Sequence, residues 1–388
     1  MALILLSLLL LAALAGGFLL WRSRARVAVP AAPARPQRTP LPAAAPASVG
    51  AAPRPPVAAA ANPPPPLVLP PALVGSFRWL LADDLPGPQR QALTEAMASI
   101  RRPPAAVHQM LSPQFLDRAS SQALSDLISG EAQIAAKVLA SVNAPHHGLS
   151  RPVSSIGQAI TFLGLNTVRS ICLRDLLDDS FPHRPAALRQ TTRELWNASA
   201  LASELCSRLA ARLGLADSGT LVAQTLLSFL GHLAMSTLLA AKDEDPASTG
   251  PLLARTARAQ AALGLGPAEL GGLLLQAWGL PDPIIDGVRA IDRLLVVPAG
   301  GRDAETHQRL ALAHLCARIG EQLACSSASP ASAAGLAGLA MAITDAEESY
   351  HLREHLAAPM FARLPELLLS ADLAQPLLAL QQGMRGPR

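Results

Sequence analysis

The run Ala135-Ala136-Lys137-Val138-Leu139-Ala140-Ser141-Val142-Asn143 is followed, after a short gap, by Gly148-Leu149-Ser150-Arg151-Pro152-Val153-Ser154-Ser155-Ile156. Ala159-Ile160, Leu163-Gly164-Leu165-Asn166 and Val168-Arg169 come next. Within Glu131 to Asn143, the residues Ile134, Val138, Leu139 and Val142 share one face at helical spacing. Ser155 and Gln158 form an S-x-x-Q capping box, and Ile156, Ala159, Ile160 and Leu163 line one side of the helix it opens. Gly164 is placed to stop that helix. Asn166 or Thr167 is placed to cap the next one, which turns Val168, Ile171 and Cys172 inward.

Outward from this stretch the pattern persists. From about Ser76 onward apolar residues recur at helical spacing rather than in alternation, in an Ala- and Leu-rich chain. The breakers at Asp243–Pro246, Pro281–Pro283 and Val297–Arg302 are short, so an all-α stack of helices is expected. The last residues read as helical from Ala334 to Leu352 and again around Leu364 to Leu380.

The chain has 388 residues, of which 50% are hydrophobic and 15% charged, enough for a sizeable core and incompatible with a wholly disordered chain. The net charge of +4 is uneven. Residues 1–75 carry six arginines and no acid, which leaves 26 basic and 28 acidic residues, net −2, in the rest. That distribution gives no support to a nucleic-acid-binding domain. Cys172, Cys206, Cys316 and Cys325 form no C-x-x-C pair, so reduced thiols are expected rather than a zinc ribbon or redox motif. Lys137 and Lys242 are the only lysines, and neither belongs to a G-x-x-x-x-G-K-[ST] loop.

Ala2 to Trp21 is an uncharged run of 20 residues, long enough to cross ~30 Å of hydrocarbon as a helix. Trp21 stands at the interface position, and Arg22, Arg24 and Arg26 follow it, which predicts a single-pass anchor with the remainder cytoplasmic. A signal peptide cleaved after Ala13-Leu14-Ala15 is the rival reading, weakened by the absent charged n-region and by apolar residues continuing to Leu20. Val27 to Pro71 is nearly all Pro, Ala and small residues, an extended linker that at ~3.1 Å per residue reaches ~100 Å.

The quoted signature, a helix ending in Asn, a Pro-Val-Ser-Ser-Ile turn and a helix ending in Leu-Gly, resembles that of the HDOD domain. This is a bacterial signalling module related to the HD phosphohydrolases. Trp196 with Ser199 and Ala202, and Ala277-Trp278-Gly279-Leu280-Pro281, extend the resemblance over roughly Ala92 to Leu323. It implies a two-lobed helical domain. The expected organisation is an anchor over 1–26, a linker over 27–75, an HDOD-like domain over 76–325 and a helical extension over 326–388.

An HD-type hydrolase needs histidines and aspartates converging on metal to activate water. By the resemblance, the histidine expected after Trp196 is Asn197, and the His-Asp pair expected after Leu226-Leu227 is Ser228-Phe229. The histidines expected after the Trp-Gly-Leu-Pro segment are replaced near Ile291 and Asp292. His232 has no carboxylate near it in sequence and reads as a helix histidine bonded to a backbone carbonyl or solvent. His146-His147 reads as a surface loop.

His351-Leu352-Arg353-Glu354-His355 matches the H-x-x-E-H zincin pattern but lacks a third ligand at the usual spacing, and reads as a solvated helix face. Gly264-Leu265-Gly266 is not followed by the third glycine of a dinucleotide loop and has no strand before it. Trp278 reads as a core anchor at a helix end, and Arg101-Arg102, Arg208 and Arg212 as solvated faces.

No catalytic, cofactor-binding or metal-ligating residue is assigned, and no cofactor is expected. The chain is read as a non-catalytic, membrane-tethered regulatory protein of bacterial signal transduction at the inner membrane. It would act by binding an unidentified signalling protein, not nucleic acid. The alternatives are a metal-dependent phosphohydrolase of a nucleotide second messenger and a non-hydrolysing sensor of such a nucleotide.

Overall fold

The computed structural model describes residues 66–385, except 119, 131, 145–148, 182–187, 243–249, 302 and 326–331. These belong to the unit Pro63–Arg388, one of two into which the chain divides. The apolar run Ala2–Trp21, the linker before residue 66, His146-His147 and the breaker Asp243–Pro246 lie outside the described residues.

No strand occurs among the described residues. The first helices are α1 (Gly87–Met97), α2 (Ala105–Met110), α3 (Pro113–Arg118), α4 (Ser121–Ser129), α5 (Ala132–Val142), α6 (Ile156–Leu163) and α7 (Leu165–Asp178). A long α8 (Arg189–Leu213) follows, then α9 (Ser218–Leu227), α10 (Phe229–Ala240), α11 (Leu252–Leu263), α12 (Pro267–Trp278) and α13 (Asp282–Arg293). The chain ends with α14 (Ala304–Cys325), α15 (Ala333–Asp345), α16 (Tyr350–Leu356), α17 (Leu364–Leu368) and α18 (Ala371–Arg385).

The signature stretch is held by side chains that complete backbone hydrogen bonds. Asn143, just past α5, donates through Nδ2 to the Val153 carbonyl at 2.9 Å and accepts from the Val153 N–H at 2.8 Å. The carboxamide thus pairs both polar groups of one backbone residue and clamps the turn. Ser155 caps α6 by accepting from the Gln158 N–H at 3.2 Å. Gln158 reaches one residue further back than a standard capping box, accepting from the Ser154 N–H at 2.9 Å.

Gly164, at φ 88°, ends α6 as expected and lets α7 begin at once with Leu165. Neither Asn166 nor Thr167 is therefore the cap. Both already lie inside the helix, and Thr167 Oγ1 donates to Glu204 Oε2 at 2.8 Å instead. Val168, Ile171 and Cys172 are buried.

Buried apolar side chains form two clusters that share α8. Leu195, Trp196, Ala198 and Ala202 face the first, with Val138, Ile156, Phe229 and Trp278. Leu201, Leu205, Cys206 and Leu209 face the second, with Ile319, Leu336, Leu352 and Leu377. Cys172, Cys206 and Cys316 are buried free thiols, and Cys325 is an exposed one.

The stretch Ser218–Ala240 is long and apolar enough to cross a membrane by composition, yet it is buried by the surrounding helices. In α10 every residue from Phe229 to Ser236 is buried, as in a central core helix. It can lie so deep because Gly231 has no side chain: a Cβ there would stand 1.9 Å from the Pro267 carbonyl oxygen of α12.

The C-terminal helices pack on this unit. Leu336, Leu352, Leu373 and Leu377 are fully buried in the cluster that α8 and α14 line. Glu348, in a single 3-10 turn before α16, accepts from the Leu252 and Leu253 N–H groups at 2.9 and 2.8 Å. A carboxylate from the extension thereby caps the start of α11, where unpaired N–H groups and the helix dipole favour negative charge.

Candidate functional site

Three of the positions at which the resemblance expects metal ligands, Asn197, Ser228 and Phe229, hold no ionisable group. Asn197 is half-buried on α8. The Ser228 hydroxyl donates to the Thr225 carbonyl at 2.8 Å, and Phe229 is fully buried in the first cluster.

One turn beyond Phe229, His232 is fully buried on α10, and its surroundings differ from the sequence expectation. Its Nε2 lies 3.3 Å from Asp292 Oδ2 on α13, a carboxylate sixty positions away. The other oxygen of Asp292 lies 3.2 Å from His314 Nδ1 and 3.9 Å from Arg318 Nη2, both on α14. Arg318 Nη1 donates to Glu321 Oε2 at 2.8 Å. Arg255 of α11 grips both Glu321 oxygens, Nη1 to Oε1 at 2.6 Å and Nη2 to Oε2 at 2.9 Å. Six buried side chains from four helices thus form one chain of hydrogen bonds and ion pairs.

Burial opposes the charge on Asp292, but Arg318 and the two histidines outweigh it and hold the carboxyl well below its ordinary pKa. Burial likewise opposes ionised Glu321, and Arg318 and Arg255 keep its pKa below the ordinary value. Arg318, disfavoured as a cation by burial, is held above its ordinary value by Glu321 and Asp292. His232 goes the other way: burial lowers its pKa despite the Asp292 contact, so it is neutral. Its Nε2–H donates to the carboxylate, while Nδ1 has no hydrogen-bond partner among the described residues.

A catalytic metal does not fit this arrangement. His232 Nε2 and His314 Nδ1 both face the same carboxylate, so each presents a proton there rather than a lone pair. Two guanidinium groups already balance Asp292 and Glu321, and a divalent cation would add uncompensated buried charge. Among the described residues no group of three or more His, Cys, Asp or Glu side chains is placed to hold a metal ion.

The H-x-x-E-H motif lies on α16, but its histidines are buried rather than on a solvated face. His351 Nε2 lies 3.1 Å from the Val68 carbonyl, and His355 Nε2–H donates to the Val297 carbonyl at 2.9 Å. They bind the extension to two other segments. The helix is drawn inward because Leu352 between them is fully buried in the second cluster. Trp278 is a core anchor as expected, and Arg208 pairs with Glu204 at 2.6 Å. Gly264-Leu265-Gly266 joins two helices, α11 and α12.

Sequence reasoning passed over His314, Arg318 and Glu321, although they recur at i, i+4 and i+7 inside an apolar helix, a polar stripe on a buried face. Asp292 and Arg255 carry no comparable local signal. A cavity of about 690 Å³ reaches Arg255, His314, Arg318 and Glu321. A second, broader concavity of about 1250 Å³ is bordered by Arg90, Arg289 and Arg293, with Glu269 paired to the last two.

Three solved structures illustrate the likeness to known proteins. A Shewanella amazonensis protein provisionally named a phosphohydrolase is 18% identical, with a TM-score of 0.47 over 76% of this chain and 98% of its own. An HDOD domain protein of unknown function from Geobacter sulfurreducens is 16% identical, with a TM-score of 0.42 over 74% and 98%. A Campylobacter jejuni virulence factor is 18% identical, with a TM-score of 0.32 over 71% and 99%. No curated protein matches the sequence. The HDOD domain family profile matches residues 100–294, half of the chain, from α2 through α13. With the signature clamped by Asn143 and helices throughout the described residues, the chain belongs to the HDOD domain family.

Proposed function

We propose that this protein is a non-catalytic regulator in signal transduction, acting by protein–protein interaction through a two-lobed HDOD domain. It would be tethered to the inner membrane by residues 1–26, with a Pro/Ala-rich linker over 27–75 and the domain in the cytoplasm. The observation that carries the non-catalytic reading is the closed network around Asp292. The ionisable groups nearest the expected hydrolase positions are spent on one another, and Ser228 and Phe229 are spent on packing. A domain without chemistry of its own acts through its surface, and a tether raises its effective concentration for partners at the membrane.

Elemental analysis of the full chain, purified without chelator, tests this reading. Transition metal far below one equivalent per chain is expected, with no turnover of cyclic dinucleotides. Tightly held stoichiometric metal, with turnover abolished by His232→Ala, would replace it with the phosphohydrolase reading. Deleting residues 1–26 should move the protein from the membrane fraction to the soluble fraction with its helicity intact; unchanged membrane association would refute the anchor.

A further inference from the structure

The cavity of about 690 Å³ lies between the buried charge network and the C-terminal helices. Leu73 and Phe77 of the incoming segment, Leu253 of α11, and Leu339 and Ile343 of α15 give it apolar walls. Arg255, His314, Arg318 and Glu321 form its polar end, and all four are buried. α14, α15 and the turn carrying Glu348 lie beyond residues 100–294 matched by the family, whereas Leu253 and Arg255 of α11 lie within them, so the cavity is shared between the matched domain and the helices that follow it.

We propose that this cavity binds an uncharged amphipathic small molecule, its apolar body against α15 and its hydrogen-bonding head at Arg318 and His314. The volume lies within the roughly 300–1,000 Å³ typical of small-ligand sites, and apolar walls with a few convergent polar groups are their usual make-up. Arg318 Nε is a donor with no hydrogen-bond partner among the described residues and is sealed from solvent, so an acceptor on the ligand head pairs with it only when the Arg318 side chain turns toward the cavity.

Charge fixes the ligand class. Of the lining carboxylates, Glu321 is held by Arg255 and Arg318, Glu348 accepts from the Leu252 and Leu253 N–H groups, and Glu347 is exposed to solvent, while Asp292 adds a further carboxylate behind Arg318. A phosphate or carboxylate entering here would meet carboxylates with no spare cation among the described residues of the lining. The N-terminus of α11 at the site is already capped by Glu348. The proposal requires neither the membrane tether nor the absence of catalysis.

Photolabelling of the full chain tests it. Octyl-chain diazirine probes ending in a methyl amide, a carboxylate or an ammonium are photolysed with the protein, and labelled peptides are mapped by mass spectrometry. The amide probe should label residues 250–257, 314–322 and 339–349, with octanamide competing. Ile343→Trp, which fills the cavity, should cut that labelling at least about tenfold, and Met341→Trp on the exposed face of the same helix should not.

Equal labelling by either charged probe would overturn the uncharged head. Labelling absent from these peptides, or not displaced by octanamide, would overturn the site. Protection of the same peptides by a micromolar cyclic dinucleotide would overturn the ligand class in favour of a nucleotide.

Discussion

Replacing Asp292 by alanine removes the acceptor used by His232 and His314 and the carboxylate nearest Arg318 after Glu321. Breaking a buried ion pair from one side costs about 3–5 kcal/mol, because the remaining charge stays desolvated. Each imidazole donor left without an acceptor adds a penalty of about 1–3 kcal/mol, but these overlap, since water entering the vacated volume serves several groups. The expected loss for Asp292→Ala is therefore about 3–5 kcal/mol. Asp292→Asn keeps the volume and one acceptor oxygen and should lose about 1–3 kcal/mol.

A charge-balanced double variant, Asp292→Leu with Arg318→Met, should lose less than the sum of its single variants, because it removes both charges together. The assay is urea denaturation at neutral pH, followed by far-ultraviolet circular dichroism. Asp292→Ala within about 0.5 kcal/mol of the parent chain, the range of an ordinary surface substitution, would refute the reasoning. So would strict additivity in the double variant.

Asn143→Asp should cost about 1–3 kcal/mol, because the carboxylate cannot donate to the Val153 carbonyl and is set against it; unchanged thermal stability would contradict the clamp. Gly231→Ala should destabilise by about 1–3 kcal/mol or more, even though alanine is the better helix former, because its Cβ meets the Pro267 carbonyl, a rigid backbone atom. Gly157→Ala, with open space around it, is the neutral comparison in the same denaturation assay. Stability should also fall with acidification. His232, His307 and His355 have folded pKa values below their ordinary 6.5, chiefly through burial, so the unfolded chain binds more protons as pH falls below that value. The melting temperature should drop as pH falls from ~7 to ~5, and His355→Gln should flatten the slope; a flat profile in the parent chain would contradict neutral buried histidines.

Local physics made much of the fold legible in the sequence. The face Ile134–Val142, the Ser155 cap, the stop at Gly164 and the anchor at Trp278 depend on neighbours within a turn or two, which spacing and residue type encode directly. Asn143 was marked only through the family resemblance, and its pairing with Val153, ten positions away, is supplied by the fold. The cap of α7 was misplaced because a positive-φ glycine can end one helix and begin the next without an intervening residue.

The Asp292 network was not legible, for a different reason. An isolated histidine, aspartate or arginine reads as solvated because water is its default partner. Folding α10, α11, α13 and α14 together removes that water, and each charge is then stable only where another element supplies its partner. His351 and His355, read as a solvated helix face, were misread on the same ground: packing buries them and gives them the carbonyls of Val68 and Val297 as partners. Periodicity and capping are properties of one segment, whereas the partner of a buried charge depends on which segments meet. That meeting is set by the shape of the packed core.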